Sequence, residues 1–132
     1  MAKINEWEFF NPNPQNRETG DCVIRALSKA TDRSWISVYD ELCNFGRDLG
    51  GLPNDDEVFE EFLEHNGFNI KSIPRPKRGQ DSVTVQKFCR QHPIGTYVLS
   101  CAHYLTCVKD GKFYDLGCEF YNCKVYRYWE KV

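Results

Sequence analysis

The sequence lacks several features that would point to common classes of function. No apolar run approaches the roughly 20 residues that a membrane-spanning helix needs, so we expect no embedded segment. Charge of one sign is not in excess: the formal net charge is -2, and basic residues are scattered apart from residues 75–78 (Arg-Pro-Lys-Arg). Without a basic surface, we expect no nucleic-acid partner. Repeats are also absent, so residues 1–132 are expected to form one globular domain.

The N-terminus and the cysteines bear on the compartment. Residues 1–6 (Met-Ala-Lys-Ile-Asn-Glu) have no basic region followed by an apolar segment, which predicts a protein that stays in the cytoplasm. The seven cysteines are an odd number and cannot all form internal disulfides. In a reducing compartment they are expected to be free thiols, several of them packed as small apolar side chains.

Apolar periodicity predicts helices first and strands last. A helix is expected over residues 22–30, and Ser34 should cap a second helix that stops at Gly46 or at Gly50-Gly51. A capping box of Asn54 and Glu57 should begin a third helix, which ends before Gly67. A strand over 68–73, a helix from 82 or 84 to 90, and strands over 96–101, 103–108, 112–115 and 124–129 follow. This order predicts an α+β fold with an antiparallel sheet.

Cys22 is the candidate nucleophile because it opens the first helix. The attacking form of cysteine is the thiolate, which is the minor form at neutral pH for an ordinary thiol. A helix N-terminus and a nearby imidazolium together can lower a cysteine pKa well below 7. The Gly20-Asp21 pair before it would let a substrate approach the backbone closely. We therefore expect a reactive thiolate at Cys22.

His103 is the candidate base among the three histidines. We expect it to open a strand, on rigid backbone, whereas His65 ends a helix and His92 precedes a proline. The Asp110-Gly111 pair predicts a two-residue hairpin turn, which would pair Lys109 with Lys112. Asp115 then lies opposite Thr106 and about three residues from His103, so a carboxylate could orient the imidazole.

These segments together resemble a known family. Gly20-Asp21-Cys22 before an apolar helix, residues 97–106 (Tyr-Val-Leu-Ser-Cys-Ala-His-Tyr-Leu-Thr) and residues 111–115 (Gly-Lys-Phe-Tyr-Asp) resemble the papain-like cysteine peptidases. In its compact size the chain is most similar to the leader-peptidase domains that cleave bacteriocin precursors after a double glycine, and to small bacterial and phage relatives. The resemblance implies a helical half that carries Cys22 and a sheet half that carries His103 and Asp115. It also implies a peptide or protein substrate and no cofactor.

One further residue of that family is ambiguous in this sequence. Papain-like enzymes usually place a glutamine about six residues before the cysteine, where its amide completes the oxyanion hole. Here that position is Asn16, and Gln15 precedes it by one residue. The resemblance therefore implies either Gln15 or Asn16 as the oxyanion donor.

Three other interpretations remain open. The fold could serve as a binding module for a peptide or protein without cutting it. It could also transfer an acyl group to an amine, because acyltransferases use the same residue types. Finally, Cys101, His103 and Cys107 share the parity of one strand face, with Cys118 and Cys123 nearby, and could supply zinc ligands. No Cys-x-x-Cys pair supports such a site, and no metal is expected.

Overall fold

The computed structural model describes residues 4–74 and 76–132. The expectations about Met1, Ala2, Lys3 and Arg75 lie outside this part of the chain. Within it lie the helices α1 (Cys22–Thr31), α2 (Trp35–Leu49), α3 (Asp56–His65) and α4 (Val85–Gln91), and a 3₁₀ helix at Cys118–Asn122. The strands are β1 (Trp7–Phe9), β2 (Phe68–Ser72), β3 (Thr96–Cys101), β4 (Tyr104–Lys109), β5 (Lys112–Asp115) and β6 (Arg127–Lys131). The α+β class is confirmed. None of the described helices is long and apolar enough to cross a membrane.

The sheet is mixed, so the prediction of an antiparallel sheet is wrong at one edge. The strand order is β1-β5-β4-β3-β6-β2. β1 runs parallel to β5, with Trp7 opposite Phe113 and Phe9 opposite Asp115, whereas the other pairs of neighbours are antiparallel. β1 has only three residues, too few for an alternating pattern to be recognised in the sequence.

The sheet separates two apolar cores. One core packs α1, α2 and α3 against side chains such as Val98 and Leu105. The other packs α4 against side chains such as Leu99 and Val108. Val98 and Leu99 are consecutive and point to opposite faces, as the pleat of a strand requires. α1 therefore lies on one face, with its first residue at an end of the sheet.

Most helix ends lie where the sequence predicts them. Ser34 accepts a hydrogen bond from the backbone N–H of Ser37, and α2 ends at Gly50, whose positive φ of 73° suits glycine. The prediction of a capping box at Asn54 is wrong, because Asp55 is the residue that directly precedes α3. Its carboxylate makes no cap bond and instead accepts from the backbone N–H of Leu52 in the preceding turn.

Two tight hairpins set the register of the central strands. Lys109 pairs with Lys112 across the Asp110-Gly111 turn, as predicted. The other hairpin differs from the prediction: His103 does not open β4 but lies in the turn that joins β3 to β4, where Cys101 pairs with Tyr104. β6 also begins later than predicted, after an isolated bridge between residues 84 and 124.

The β3–β4 turn changes which cysteines share a face. Because the turn contains two residues, Cys101 shares its face with Tyr104, and Cys107, three residues further on, points to the other face. Cys101 accordingly lies in the core beside α4, and Cys107 lies in the core beneath α1. The predicted common face of Cys101 and Cys107 is wrong.

Candidate active site

A cavity of about 880 Å³ lies where the first turn of α1 meets the turn between β3 and β4. Cys22, His103 and Asp115 all line it. Other walls come from α3 through Phe59 and from the 3₁₀ helix through Phe120. The fold thus brings three residues that are distant in sequence to the surface of one cavity.

Cys22 is the first residue of α1 and is partly buried. Burial raises the pKa of its thiol above the ordinary value, and this effect exceeds the lowering by a backbone hydrogen bond from Leu105 and by the charge of Arg25. Asp115 and Asp21 add to the rise. The expected lowering of the Cys22 pKa is therefore wrong for this arrangement, because desolvation and two carboxylates outweigh the favourable neighbours.

His103 lies in the β3–β4 turn with a φ of 55°, in the left-handed region that non-glycine residues rarely adopt. Its side chain is exposed and borders the cavity. An exposed imidazole on a two-residue turn has more freedom to change rotamer than one fixed within a strand. The turn therefore presents the imidazole at the mouth of the cavity without burying it.

Asp115 is the last residue of β5 and is only 1% exposed. Its Oδ1 accepts from the backbone N–H of Leu116 at 2.8 Å and lies 3.2 Å from Nη2 of Arg25. Its Oδ2 accepts from the hydroxyl of Thr106 at 3.1 Å, in agreement with the predicted register. Burial raises the pKa of Asp115 to about 6, although Arg25 and the Leu116 N–H lower it. Among the described residues, His103 is not one of its hydrogen-bond partners.

A buried ionic network, which the sequence patterns did not predict, joins α1 to β5. Nη1 of Arg25 lies 2.6 Å from Oδ1 of Asp21, and its Nη2 reaches Asp115. Oδ2 of Asp21 accepts from the indole N–H of Trp35 at 2.8 Å, which ties α2 to the same network. Arg25 and Asp21 are 5% and 4% exposed. An arginine within an apolar helix, four residues after an aspartate, was the available signal.

Asp21 precedes α1 but does not cap it. Its side chain makes no hydrogen bond to the first turn of the helix, because its carboxylate turns toward Arg25 and Trp35. The first N–H groups of a helix have no partner within the helix. Those of α1 are therefore not occupied by the Asp21 carboxylate, and Cys22 lies among them.

Gln15 and Asn16 lie in a turn that comes shortly before the first cavity-lining residue in the sequence. The backbone N–H of Gln15 donates to Oδ1 of Asn13 at 2.9 Å, and that of Asn16 donates to the Asn13 carbonyl at 3.0 Å. Asn16 has a φ of 57°. Among the described residues, the cavity wall includes Glu18 and its successors but neither of these two amides. The first residues in sequence order that line the cavity are Glu18, Thr19 and Gly20, directly before α1.

Three of the thiols lie in the two cores. Burial raises the pKa of Cys89, Cys101 and Cys107 to about 12 in each case, as expected for inert core thiols. Within residues 4–74 and 76–132, no three His, Cys, Asp or Glu side chains form a group that could hold a metal ion. The candidate zinc ligands are thus not brought together in this part of the chain.

Comparison with known proteins gives no relative: no family model, curated protein or solved structure matches this chain. The papain-like resemblance accordingly stays a prediction from the sequence.

Proposed function

We propose that this protein is a cysteine hydrolase of papain-like type that acts on a peptide or amide bond. Cys22 would be the nucleophile and His103 the base. The observation that carries the proposal is that a cysteine at the first residue of a helix and a histidine on an opposing hairpin turn line the same cavity. Nucleophilic cysteines at helix N-termini beside a histidine recur in acyl-transfer chemistry.

The reaction needs only groups that border the cavity. The imidazole of His103 takes the proton from the Cys22 thiol, and the thiolate attacks the substrate carbonyl. The C–N bond then breaks, and the imidazolium gives the proton to the leaving amine. Water, deprotonated by the same imidazole, attacks the acyl-thioester and releases the acid, which restores the thiol.

The first turn of α1 could hold the negative charge that develops on the carbonyl oxygen. Backbone N–H groups at this position are typical donors for an oxyanion, and the positive end of the helix dipole supports them. The carboxylate of Asp21 is occupied by Arg25 and Trp35 and does not compete for these groups. This arrangement would supply oxyanion donors without an amide from Gln15 or Asn16.

The size of the cavity fits a substrate of this class. At about 880 Å³ it lies within the range of roughly 300–1,000 Å³ that is typical of ligand sites. Tyr104 and Phe120 stack at 4.0 Å between ring centroids and form an aromatic part of its wall. A few residues of an extended peptide could occupy this space.

A second candidate function is binding of a peptide without cleavage. It is favoured by the raised pKa of Cys22, which keeps the thiol protonated at neutral pH unless a base removes the proton. It is also favoured by the hydrogen bonds of Asp115, because this carboxylate bonds to Arg25 and Thr106 and not to His103. A retained fold with an inactive thiol would show both features.

Labelling with a thiol-directed peptidyl electrophile tests the nucleophile. We expect one adduct at Cys22, which Cys22→Ala abolishes. The matched control is Cys43→Ala, which removes another partly buried thiol, on α2, and should leave the labelling intact. An adduct carried entirely by another cysteine would refute the assignment.

Turnover separates hydrolysis from binding. We expect the wild-type protein to cleave members of a peptide library, and His103→Ala to slow cleavage by about 10²–10⁴-fold, the usual contribution of a positioned base. Saturable binding of a peptide that is never cleaved would favour the binding module instead.

A further inference from the structure

The acid of the candidate site is bonded in an unexpected way. In a triad that works through histidine, the third residue accepts a hydrogen bond from the imidazole. Here both oxygens of Asp115 are engaged by other groups: Oδ1 by Arg25 and the Leu116 N–H, and Oδ2 by Thr106. The residue is almost fully buried, whereas His103 is exposed on its turn.

We infer that Asp115 is a positioning residue that acts on Cys22 through Arg25, and not on His103. Arg25 is three residues after Cys22 on α1, and its guanidinium bridges Asp21, directly before the helix, and Asp115, at the end of β5. The network thus fixes the first turn of α1 against the sheet. The inference rests on the proposed function for its catalytic meaning, but the contacts stand without it.

The charges of the network also affect the stability of the Cys22 thiolate. The guanidinium of Arg25 favours the Cys22 thiolate, and each carboxylate bonded to it offsets that effect. Other ionisable groups at the cavity are His103 on its turn, Glu18 before α1, Asp56 on α3, Cys101 on β3, Tyr104 on β4 and Glu119 on the 3₁₀ helix. Of the two carboxylates bonded to Arg25, Asp21 lies on the helix side and Asp115 on the sheet side.

The two possible roles of Asp115 predict shifts of opposite sign. If Asp115 acts through Arg25, neutralising it leaves the guanidinium less compensated, and the Cys22 thiolate becomes more stable. If Asp115 orients and stabilises the His103 imidazolium, neutralising it removes support for the thiolate. Asp115→Asn keeps the size of the side chain: its Oδ1 can still accept from Arg25 and the Leu116 N–H, and its Nδ2 can donate to the Thr106 hydroxyl.

The test measures the rate of alkylation of Cys22 by iodoacetamide between pH 6.5 and 10, followed by peptide mapping that separates this thiol from the others. We expect Asp115→Asn to lower the apparent pKa of Cys22 by about one unit, within the usual range for a nearby charge. The matched variant Asp21→Asn removes the negative charge of the other carboxylate bonded to Arg25 and should also lower the pKa of Cys22. If the two carboxylates had a purely structural role, the two variants would not shift the pH profile of Cys22 alkylation in the same way.

A double-mutant cycle with His103→Gln completes the test. In that background we expect Asp115→Asn to produce the same shift as in the wild type, because the effect does not pass through the imidazole. An upward shift, no shift, or a shift that disappears in His103→Gln would overturn the inference. Since alkylation needs no turnover, absence of peptide cleavage would count against the proposed function alone.

Discussion

The buried carboxyl of Asp115 should leave a clear mark on the pH dependence of stability. Burial raises its pKa from 3.8 to about 6. The folded state therefore holds this proton more tightly than the unfolded chain does. The stabilisation from the proton is complete below about pH 4 and is lost as the pH rises through about 6. Asp115→Asn cannot ionise and should lack this dependence.

The magnitude follows from the shift. A rise from 3.8 to about 6 is roughly two units, and each unit corresponds to about 1.4 kcal/mol. The full effect is about 3 kcal/mol, and about 2 kcal/mol of it falls between pH 4 and pH 7.5, where the free energy of unfolding of the wild type should decrease by that amount relative to Asp115→Asn. For a domain of this size, with a total stability of about 5–15 kcal/mol, that is a readily measurable change.

Urea denaturation at a series of pH values, with a thiol reductant present, measures this difference. Asp32→Asn is the matched control: Asp32 is exposed, and the bond from Lys109 lowers its pKa. The stabilisation by the ionised Asp32 is present above the pKa of this residue in the unfolded chain and is lost only at lower pH. The difference in the free energy of unfolding between the wild type and Asp32→Asn should therefore be constant between pH 5 and 7.5. A constant difference between the wild type and Asp115→Asn, or one of opposite sign, would refute the reasoning.

Two further predictions concern the backbone. Gly46→Ala should destabilise the protein by about 1–3 kcal/mol in the same denaturation assay, because a Cβ there would lie 2.6 Å from the carbonyl oxygen of Gly51. Gly20→Ala, whose Cβ would meet no atom within 4 Å, should cost less than about 0.5 kcal/mol, and equal effects would contradict this account. Because His103 has a φ of 55°, His103→Gly should be more stable than His103→Ala by about 1 kcal/mol, and both variants should slow cleavage to a similar extent. A less stable His103→Gly would show that the turn carries no such strain.

Local signals allowed much of the fold to be predicted. The spacing of apolar residues placed α1 correctly, and the Ser34 cap bond is present. The Asp110-Gly111 pair fixed the β4–β5 register, because both residues adopt positive φ angles that this dipeptide tolerates. Each of these features depends on a few neighbouring residues and little else.

The remaining features depend on contacts between distant segments. Ala102 and His103 are not typical turn residues, so nothing in the sequence marks the end of β3. The pairing of Arg25 with Asp115 depends on how α1 lies against β5, which spacing along the chain does not specify. For the same reason, the resemblance implied a bond between Asp115 and His103, whereas the structure joins Asp115 to Arg25 and Thr106.

The buried position of Cys107 allows transient separation of α1 from the sheet to be measured by chemical labelling. Cys107 has no exposed surface, and burial raises the pKa of its thiol to about 12, so a reagent in solution can reach it only when α1 separates from the sheet. A thiol reagent in solution would then modify this cysteine once in each molecule, with a fixed gain in mass. The fraction of molecules that carry this added mass, followed over time, would report how often α1 separates from the sheet under native conditions.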